Sequence, residues 1–296
     1  MDWDQIRIFL AVVRAGQFVA AARRLELDHT TVGRRITALE QELGAKLFNR
    51  STTGVALSTL GERLLQTAEA METAMDNAVV EFSQAESRVT GAVRIGTPDG
   101  LGTYYLARRL AELADKNPEL RIQLVPIPRT FSLARREADL AITIERPVEG
   151  RLTSLKLSDY TLGAYVSRDH IKRFGAIKDY QDLKDRVLVT YVSDLIYSST
   201  LEYAEPLEKF AAKRFECASL TSQLEVVRSG IGVGILHDYA ARAFGDLVKI
   251  LPSFSVKRNY WLVAHKDVRM IRRISFVHEF ITSEFKNSGR GFFCPS

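Results

Sequence analysis

The sequence predicts an α+β multidomain chain in three parts: a small helical head, one long connecting helix and a C-terminal domain of alternating strands and helices. Three observations carry this. Apolar residues recur at helical spacing through residues 6–43, a heptad stripe runs from Leu64 to Ala85, and from Gly91 onward short β-type runs alternate with helical patterns. At 296 residues the chain is long enough for two or three folding units.

With 46% hydrophobic and 26% charged residues, the composition is that of an ordinary soluble globular protein. The net charge of +5 suits a polyanionic partner without requiring one. Its distribution says more. From Arg7 to Arg63 there are nine Lys/Arg against five Asp/Glu, whereas Leu64 to Arg88 holds five acidic residues against Arg88 alone. The head is basic and the connector acidic. Cys217 and Cys294 are too few for a disulfide framework or metal cluster, as expected in a reducing compartment, with a redox pair as the alternative. No signal peptide opens the chain, and no run approaches the ~20 apolar residues of a membrane span. A cytoplasmic protein is expected.

In the head, Ile6, Phe9, Leu10 and Val13 fall at i, i+3, i+4 and i+7, a first helix ending near Gly16. Phe18, Ala21, Ala22 and Leu25 repeat the spacing in a helix of about two turns. Asp28 follows as an N-cap for a third helix, with Val32, Ile36, Leu39 and Leu43 inward and Gly44 as its stop. That leaves Thr30, Thr31, Gly33, Arg34 and Thr37 outward, with Arg35 beside them. Short residues at a helix start, followed by arginines, suit the major groove: the helix approaches closely while Arg forks to guanine or clamps phosphate. A solvated helical face is the alternative. Next, Lys46–Phe48 and Val55–Leu57 flank a polar turn over Asn49–Gly54, which reads as a hairpin wing. There Arg50, Ser51, Thr52 and Thr53 would meet phosphates, while Phe48 and Leu57 serve the core.

These residues resemble a known family. The run Phe9-Leu-Ala-Val-Val-Arg-Ala-Gly-Gln-Phe-Val-Ala-Ala-Ala-Arg-Arg-Leu25 is similar to the opening of LysR-type transcriptional regulators. So are Val32-Gly-Arg-Arg-Ile-Thr-Ala-Leu-Glu-Gln-Glu-Leu-Gly-Ala-Lys-Leu-Phe-Asn-Arg50 and Ser58-Thr-Leu-Gly61. The resemblance implies a winged helix-turn-helix and a transcriptional regulator. His29, Thr30 and Gly33 depart from the family's usual residues at the recognition helix, as do Gln17 and Val19 at the second helix. The fold is unaffected, but base preference does not carry over.

Thr59-Leu60-Gly61-Glu62 fits a capping box that starts the connector. Leu64, Ala68, Met71, Met75, Ala78, Phe82 and Ala85 alternate by four and three, a seam of three heptads. Self-pairing as a coiled coil is expected, with packing on its own domain as the alternative. The resemblance likewise implies a linker helix that pairs subunits into dimers, which commonly pair again into tetramers.

From Gly91, Ala92–Gly96 is the first expected strand, followed by the turn Thr97-Pro98-Asp99-Gly100 and a helix from Thr103. Ile122–Val125 is a second strand, Leu133–Ala138 helical, and Asp139–Thr143 a third strand. Repeated βαβ units imply mainly parallel sheets, which bind ligands at their strands' carboxyl ends. Thr97, Asp99, Thr143, Thr190, Thr221 and Ser222 stand at such positions. Asp99 in the cleft argues against an anionic effector, helix N-termini for one; alternatively these residues only cap and turn. The runs Arg135–Thr143 and Val226–Leu236 resemble the family's effector-binding part. This implies a two-lobed α/β domain built like a periplasmic solute-binding protein, with chain crossings near Thr161–Val166 and Tyr260–His265. The expected division is 1–58 for the head, 59–90 for the connector, 91–161 with 266–296 for one lobe and 162–265 for the other.

Catalytic chemistry is not written here. Gly230-Ile-Gly-Val-Gly234 follows a helix and has its third glycine one residue early for a dinucleotide loop. His29, His170, His237, His265 and His278 are scattered, without metal spacing. Neither a cofactor nor a metal is expected, and no enzymatic activity. The expected partners are a pseudo-palindromic double-stranded DNA site, a small-molecule effector, further copies of the chain, and RNA polymerase if the protein activates. No membrane partner is expected. An architectural DNA binder and a solute-binding or enzymatic α/β protein are the rivals.

Overall fold

The computed structural model describes residues 2–51, 54–82, 89–127, 129, 133, 137–147 and 152–294. They form two compact units, one chiefly of residues 1–87 and the other of 88–133, 138–266 and 273–296.

The first unit holds α1 (Trp3–Ala15), α2 (Phe18–Leu25) and α3 (His29–Leu43), then the hairpin β1 (Phe48–Ser51) and β2 (Gly54–Leu57), then α4 (Thr59–Phe82). Asp2 and Gln5 close a capping box on α1, and Asp28 caps α3 through the Thr30 amide. Gly16 and Gly44 end α1 and α3 in the left-handed region, at φ 67° and 63°. The expected stripe is the core: Ile6, Phe9, Leu10, Ala21, Ala22, Val32, Ile36, Leu39, Leu47 and Phe48 are buried together.

Three expectations need correcting. Leu43 is exposed, and the inner position one turn earlier belongs to Glu40, which is buried. Its carboxylate accepts hydrogen bonds from Lys46 Nζ at 2.6 Å and from the amides of Leu47 and Phe48 at 2.9 and 3.4 Å. Asn49, Arg50 and Ser51 are strand, not turn: β1 runs through Ser51, with Arg50 opposite Val55. Finally, Ser58 rather than Thr59 caps α4, its hydroxyl accepting from the Gly61 amide at 3.0 Å.

The connector's seam is divided. Ala68 is fully buried in the head core, with Leu64 and Met71 packed on it. Arg14 of α1 grips Glu72 of α4 with two bonds of 3.0 and 2.6 Å. Leu64, Ala68 and Met71 therefore pack on their own domain. A helix buries an apolar stripe against whatever lies nearest, and here that is α1. Met75 is exposed; the side chains of Ala78 and Phe82 lie outside the described residues, as does Ala85.

The second unit is built on β3 (Gly91–Thr97), β4 (Leu120–Pro126), β5 (Leu140–Thr143), β6 (Leu152–Ser167), β7 (Val187–Tyr191), β8 (Lys213–Cys217), β9 (Gly232–His237) and β10 (Leu247–His265). Their order in one sheet is β4-β3-β5-β10-β6-β9-β7-β8. The unit's helices are α5 (Asp99–Leu101), α6 (Ala107–Asp115), α7 (Arg168–Phe174), α8 (Glu205–Glu208), α9 (Leu220–Arg228) and α10 (Asp238–Ala241), then, after α11 (Lys266–Arg269), which groups from Asp267 with the first unit, α12 (Arg272–Ser288) and α13 (Arg290–Phe293). The sheet is mixed rather than mainly parallel: β3 pairs β4 and β5, and β7 pairs β8 and β9, in parallel, whereas β6 and β10 run antiparallel to their neighbours. The chain turns helical at Asp99, not Thr103, passing through a π-turn at Gly102–Leu106 into α6. None of the described positions within 133–138 is helical.

Two long antiparallel strands, β6 and β10, join a lobe containing β3–β5 to one containing β7–β9. Trp261–Ala264 pair with β5, so the chain reaches the first lobe within the Tyr260–His265 stretch. Tyr160 and Tyr260 stack between the strands, ring centroids 4.1 Å apart. Beside them Asp238 accepts from Tyr165 at 2.6 Å, from Thr161 and from Lys249. Burial pushes the Asp238 carboxyl up, but these three donors carry it below the usual range. Burial also pulls the His237 imidazole down to about 3, so it is neutral at physiological pH.

Candidate functional site

In α3 the two faces differ as the spacing requires. Val32, Ile36 and Leu39 are buried, while Thr30, Arg34, Arg35 and Thr37 are exposed and Thr31 and Gly33 half-buried. The Asp28 cap holds Thr30 doubly, accepting from its amide at 2.8 Å and its hydroxyl at 2.5 Å. The two arginines are not equivalent. Arg35 stands 3.8 Å from Asp4, which Arg7 also approaches at 2.8 Å. Among the described residues Arg34 has no such carboxylate. A side chain added at Gly33 would meet nothing within 4 Å, so this part of the helix surface is clear of neighbours in the unit. Thr52 and Thr53 lie outside the described residues, as do the side chains of Arg50 and Ser51.

Glu40, which the sequence reading missed, aims this helix. Burial would raise its carboxyl, but the bonds from Lys46 and from the Leu47 and Phe48 amides outweigh that and hold it below the usual value. A depressed carboxyl stabilises the fold above its unfolded pKa, and the contribution is lost as pH falls through the folded value. Glu40→Gln is expected to cost about 1–3 kcal/mol at neutral pH, the penalty for disturbing a buried hydrogen-bonded charge. Urea unfolding followed by Trp3 fluorescence should show the gap narrowing towards acid pH; a gap unchanged across pH would mean that the charge is not the cause. The sequence signal was a lone Glu at an apolar position of the stripe, one turn after Ile36.

The six expected cleft residues go different ways. Asp99 and Thr221 meet: Asp99 Oδ2 accepts from the Thr221 amide at 3.1 Å and its hydroxyl at 3.4 Å, joining the lobes at the N-terminus of α9. Thr143 lines a cavity of about 280 Å³ with Pro98, Arg129, Glu145, Tyr197 and Ser198. Its hydroxyl donates to the Glu145 carbonyl at 2.6 Å, and Ser198 of the other lobe bonds the Glu145 carboxylate. Thr190 lies elsewhere, in a cavity within the second lobe. Thr97 is buried with its hydroxyl turned onto the Pro98 carbonyl at 3.3 Å, and exposed Ser222 is held by the Ser219 cap. Thr97 and Ser222 stand in the lining of neither cavity.

Asp99 is only 8% exposed. Burial pushes its carboxyl above the usual value, against the pull of the Thr221, Gly100 and Leu220 amides. Because the folded pKa is raised, Asp99 ionises at a cost that appears as pH rises through that folded value. Asp99→Asn keeps an acceptor for Thr221 and removes the charge. Its melting temperature should match the wild type at acid pH and equal or exceed it at neutral pH. A variant less stable at neutral pH would show that the carboxylate is net favourable at the helix N-terminus.

Among the described residues no His/Cys/Asp/Glu group could hold a metal ion, and no helix is long and apolar enough to cross a membrane.

Residues 3–62 match the bacterial regulatory helix-turn-helix protein, lysR family, and residues 86–286 the LysR substrate binding domain. The chain is 28% identical over 279 residues to the Mau operon transcriptional activator of Paracoccus denitrificans, covering 93% of this chain and 94% of that one. It is 26% identical over 285 residues to the transcriptional activator TtdR of Escherichia coli K12, covering 94% and 92%. A full-length OxyR variant from Pseudomonas aeruginosa shares the fold, with a TM-score of 0.69 at 19% identity over 97% of this chain and 95% of that one. A DNA-reading head and a substrate-binding domain on one chain, matched along nearly its whole length, make this protein a member of the LysR family of transcriptional regulators.

Proposed function

We propose that α3 lies in the major groove of a pseudo-palindromic DNA site and that a small molecule held between the two lobes changes the affinity for it. The observation that carries the first half is the exposed strip of Thr30, Arg34 and Thr37 opposite a buried apolar face. Thr31, Gly33 and Arg35 flank that strip, and Arg50, Ser51, Thr52 and Thr53 of the wing contact phosphates. Two copies of the chain reach two half-sites, one helical turn of DNA or a multiple apart. The outer half of α4, from Met75, contributes to pairing them. The protein acts in the cytoplasm, contacts RNA polymerase where its site adjoins a promoter, and catalyses nothing.

For the second half, the cleft cavity lined by Pro98, Thr143, Tyr197 and Ser198 takes the effector; Pro98 is next in sequence to Asp99, which binds Thr221 of the other lobe. A carboxylate of the chain already occupies the N-terminus of α9, where an anion would otherwise bind. The effector therefore places a neutral or cationic group there.

Selection of the purified protein on random duplexes tests this, followed by affinity for the winners against scrambled controls. A dyad-symmetric consensus bound far above random DNA is the expected result. Uniform, salt-dependent binding without a consensus would overturn it in favour of an architectural role.

A further inference from the structure

The second lobe carries an open-sided cavity of about 410 Å³, walled by the carboxyl end of β7, the first turn of α9 and the segment 193–204. Small-molecule sites fall in the range of about 300–1,000 Å³. Thr190 and Gln223 line it, 5% and 1% exposed. Yet Thr190 Oγ1 and Gln223 Nε2 have no hydrogen-bond partner among the described residues. Buried polar groups are costly unless something satisfies them, and both residues stand in the wall of one cavity.

The lining also sets the chemistry. Val189, Ile196, Leu201 and Ile235 provide apolar wall. Glu202, Glu205, Glu208 and Arg214 are its charged members; Arg214 lies 3.4 Å from Glu208, and Glu205 lies 2.9 Å from Lys209. Among the described residues of this lining the one cation, Arg214, is already paired with Glu208, whereas Thr190 and Gln223 contribute a hydroxyl and a carboxamide to the wall.

We propose that this cavity is a second ligand site, separate from the cleft between the lobes, for an uncharged small molecule carrying an amide or hydroxyl on an apolar body. The wall between the two cavities is shared. Ile196, Leu201 and Tyr203 face the lobe cavity, while Tyr197 and Ser198 line the cleft, where Ser198 bonds Glu145 of the first lobe. A ligand inside the lobe braces this partition and so the contact that spans the cleft. The site does not depend on which effector the cleft takes.

Benzamide and benzoate share a shape and differ in charge, which makes them a matched pair of probes. Calorimetric titration of the full-length protein should show one benzamide per chain and much weaker benzoate binding. Thr190→Val and Gln223→Leu should each weaken benzamide by roughly five- to tenfold, as loss of one hydrogen bond implies. Both should melt at or above the wild-type temperature, since each removes an unpaired polar group. Thr143→Val, on the cleft side, should leave benzamide affinity unchanged. Equal binding of the two probes, no binding into the millimolar range, or benzamide affinity indifferent to both lobe substitutions would overturn the proposal.

Discussion

Arg34→Ala is expected to weaken binding to a selected operator by about 1–3 kcal/mol while leaving affinity for random duplex nearly unchanged. The expectation rests on its exposure, on the absence of a carboxylate partner among the described residues, and on its place one turn into α3, beside the short Gly33. Arginine offers a planar fork that matches guanine O6/N7, so its loss should relax preference at one position of each half-site. A phosphate contact would behave differently: the loss would be similar on every sequence, and the salt slope would fall by about one. Affinity measured on both duplexes across a salt series separates these outcomes, and no loss on either removes Arg34 from the interface. Arg35→Ala should cost less, because Asp4 already draws on its charge at 3.8 Å.

Gly61→Ala should unfold the head at a much lower denaturant concentration, costing about 3 kcal/mol, the upper part of the usual range for an overfilled contact. A Cβ there would sit 3.1 Å from the Leu47 carbonyl carbon, closer still to its oxygen, and 2.9 Å from Leu57 Cδ2. Backbone cannot move aside as a flexible side chain can. The chain has two tryptophans, Trp3 in the head and Trp261 in the sensor, so a Trp261→Phe background reports on the head alone. Gly33→Ala is the contrast: its added methyl meets nothing, and helix propensity should make the head more stable by up to about 1 kcal/mol. Equal stability of both variants would mean that α4 does not pack on Leu47 as closely as described.

Much of the head was legible because its period, caps and stops are local. Asp28, Gly16 and Gly44 act where their chemistry alone places them. Glu40 was not legible: a carboxylate at an apolar position is explained only by the Leu47 and Phe48 amides of the following wing. Ser58 and Thr59 both carry hydroxyls, and only the path of the backbone decides which one caps α4. The connector's stripe was read correctly as needing a partner, but three-four spacing is the same whether the partner is another chain or α1. In the sensor, topology rules found the strand ends and missed what each end does. Asp99 and Thr221 are 122 positions apart, and nothing local announces that a carboxylate of the chain sits at the N-terminus of α9. Gln223 escaped notice one residue beyond Ser222, because nothing in a sequence marks an amide as buried without a partner.

The division of α4 has a bearing on how such proteins can be recombined. Ala68, Leu64 and Met71 complete the head core, and Glu72 anchors Arg14. A head cut at Ser58 would leave that socket open and Arg14 without its carboxylate. Heads exchanged between relatives should therefore be joined beyond Glu72, so that the helix's inner half travels with the reader it supports and only its outer half follows the sensor.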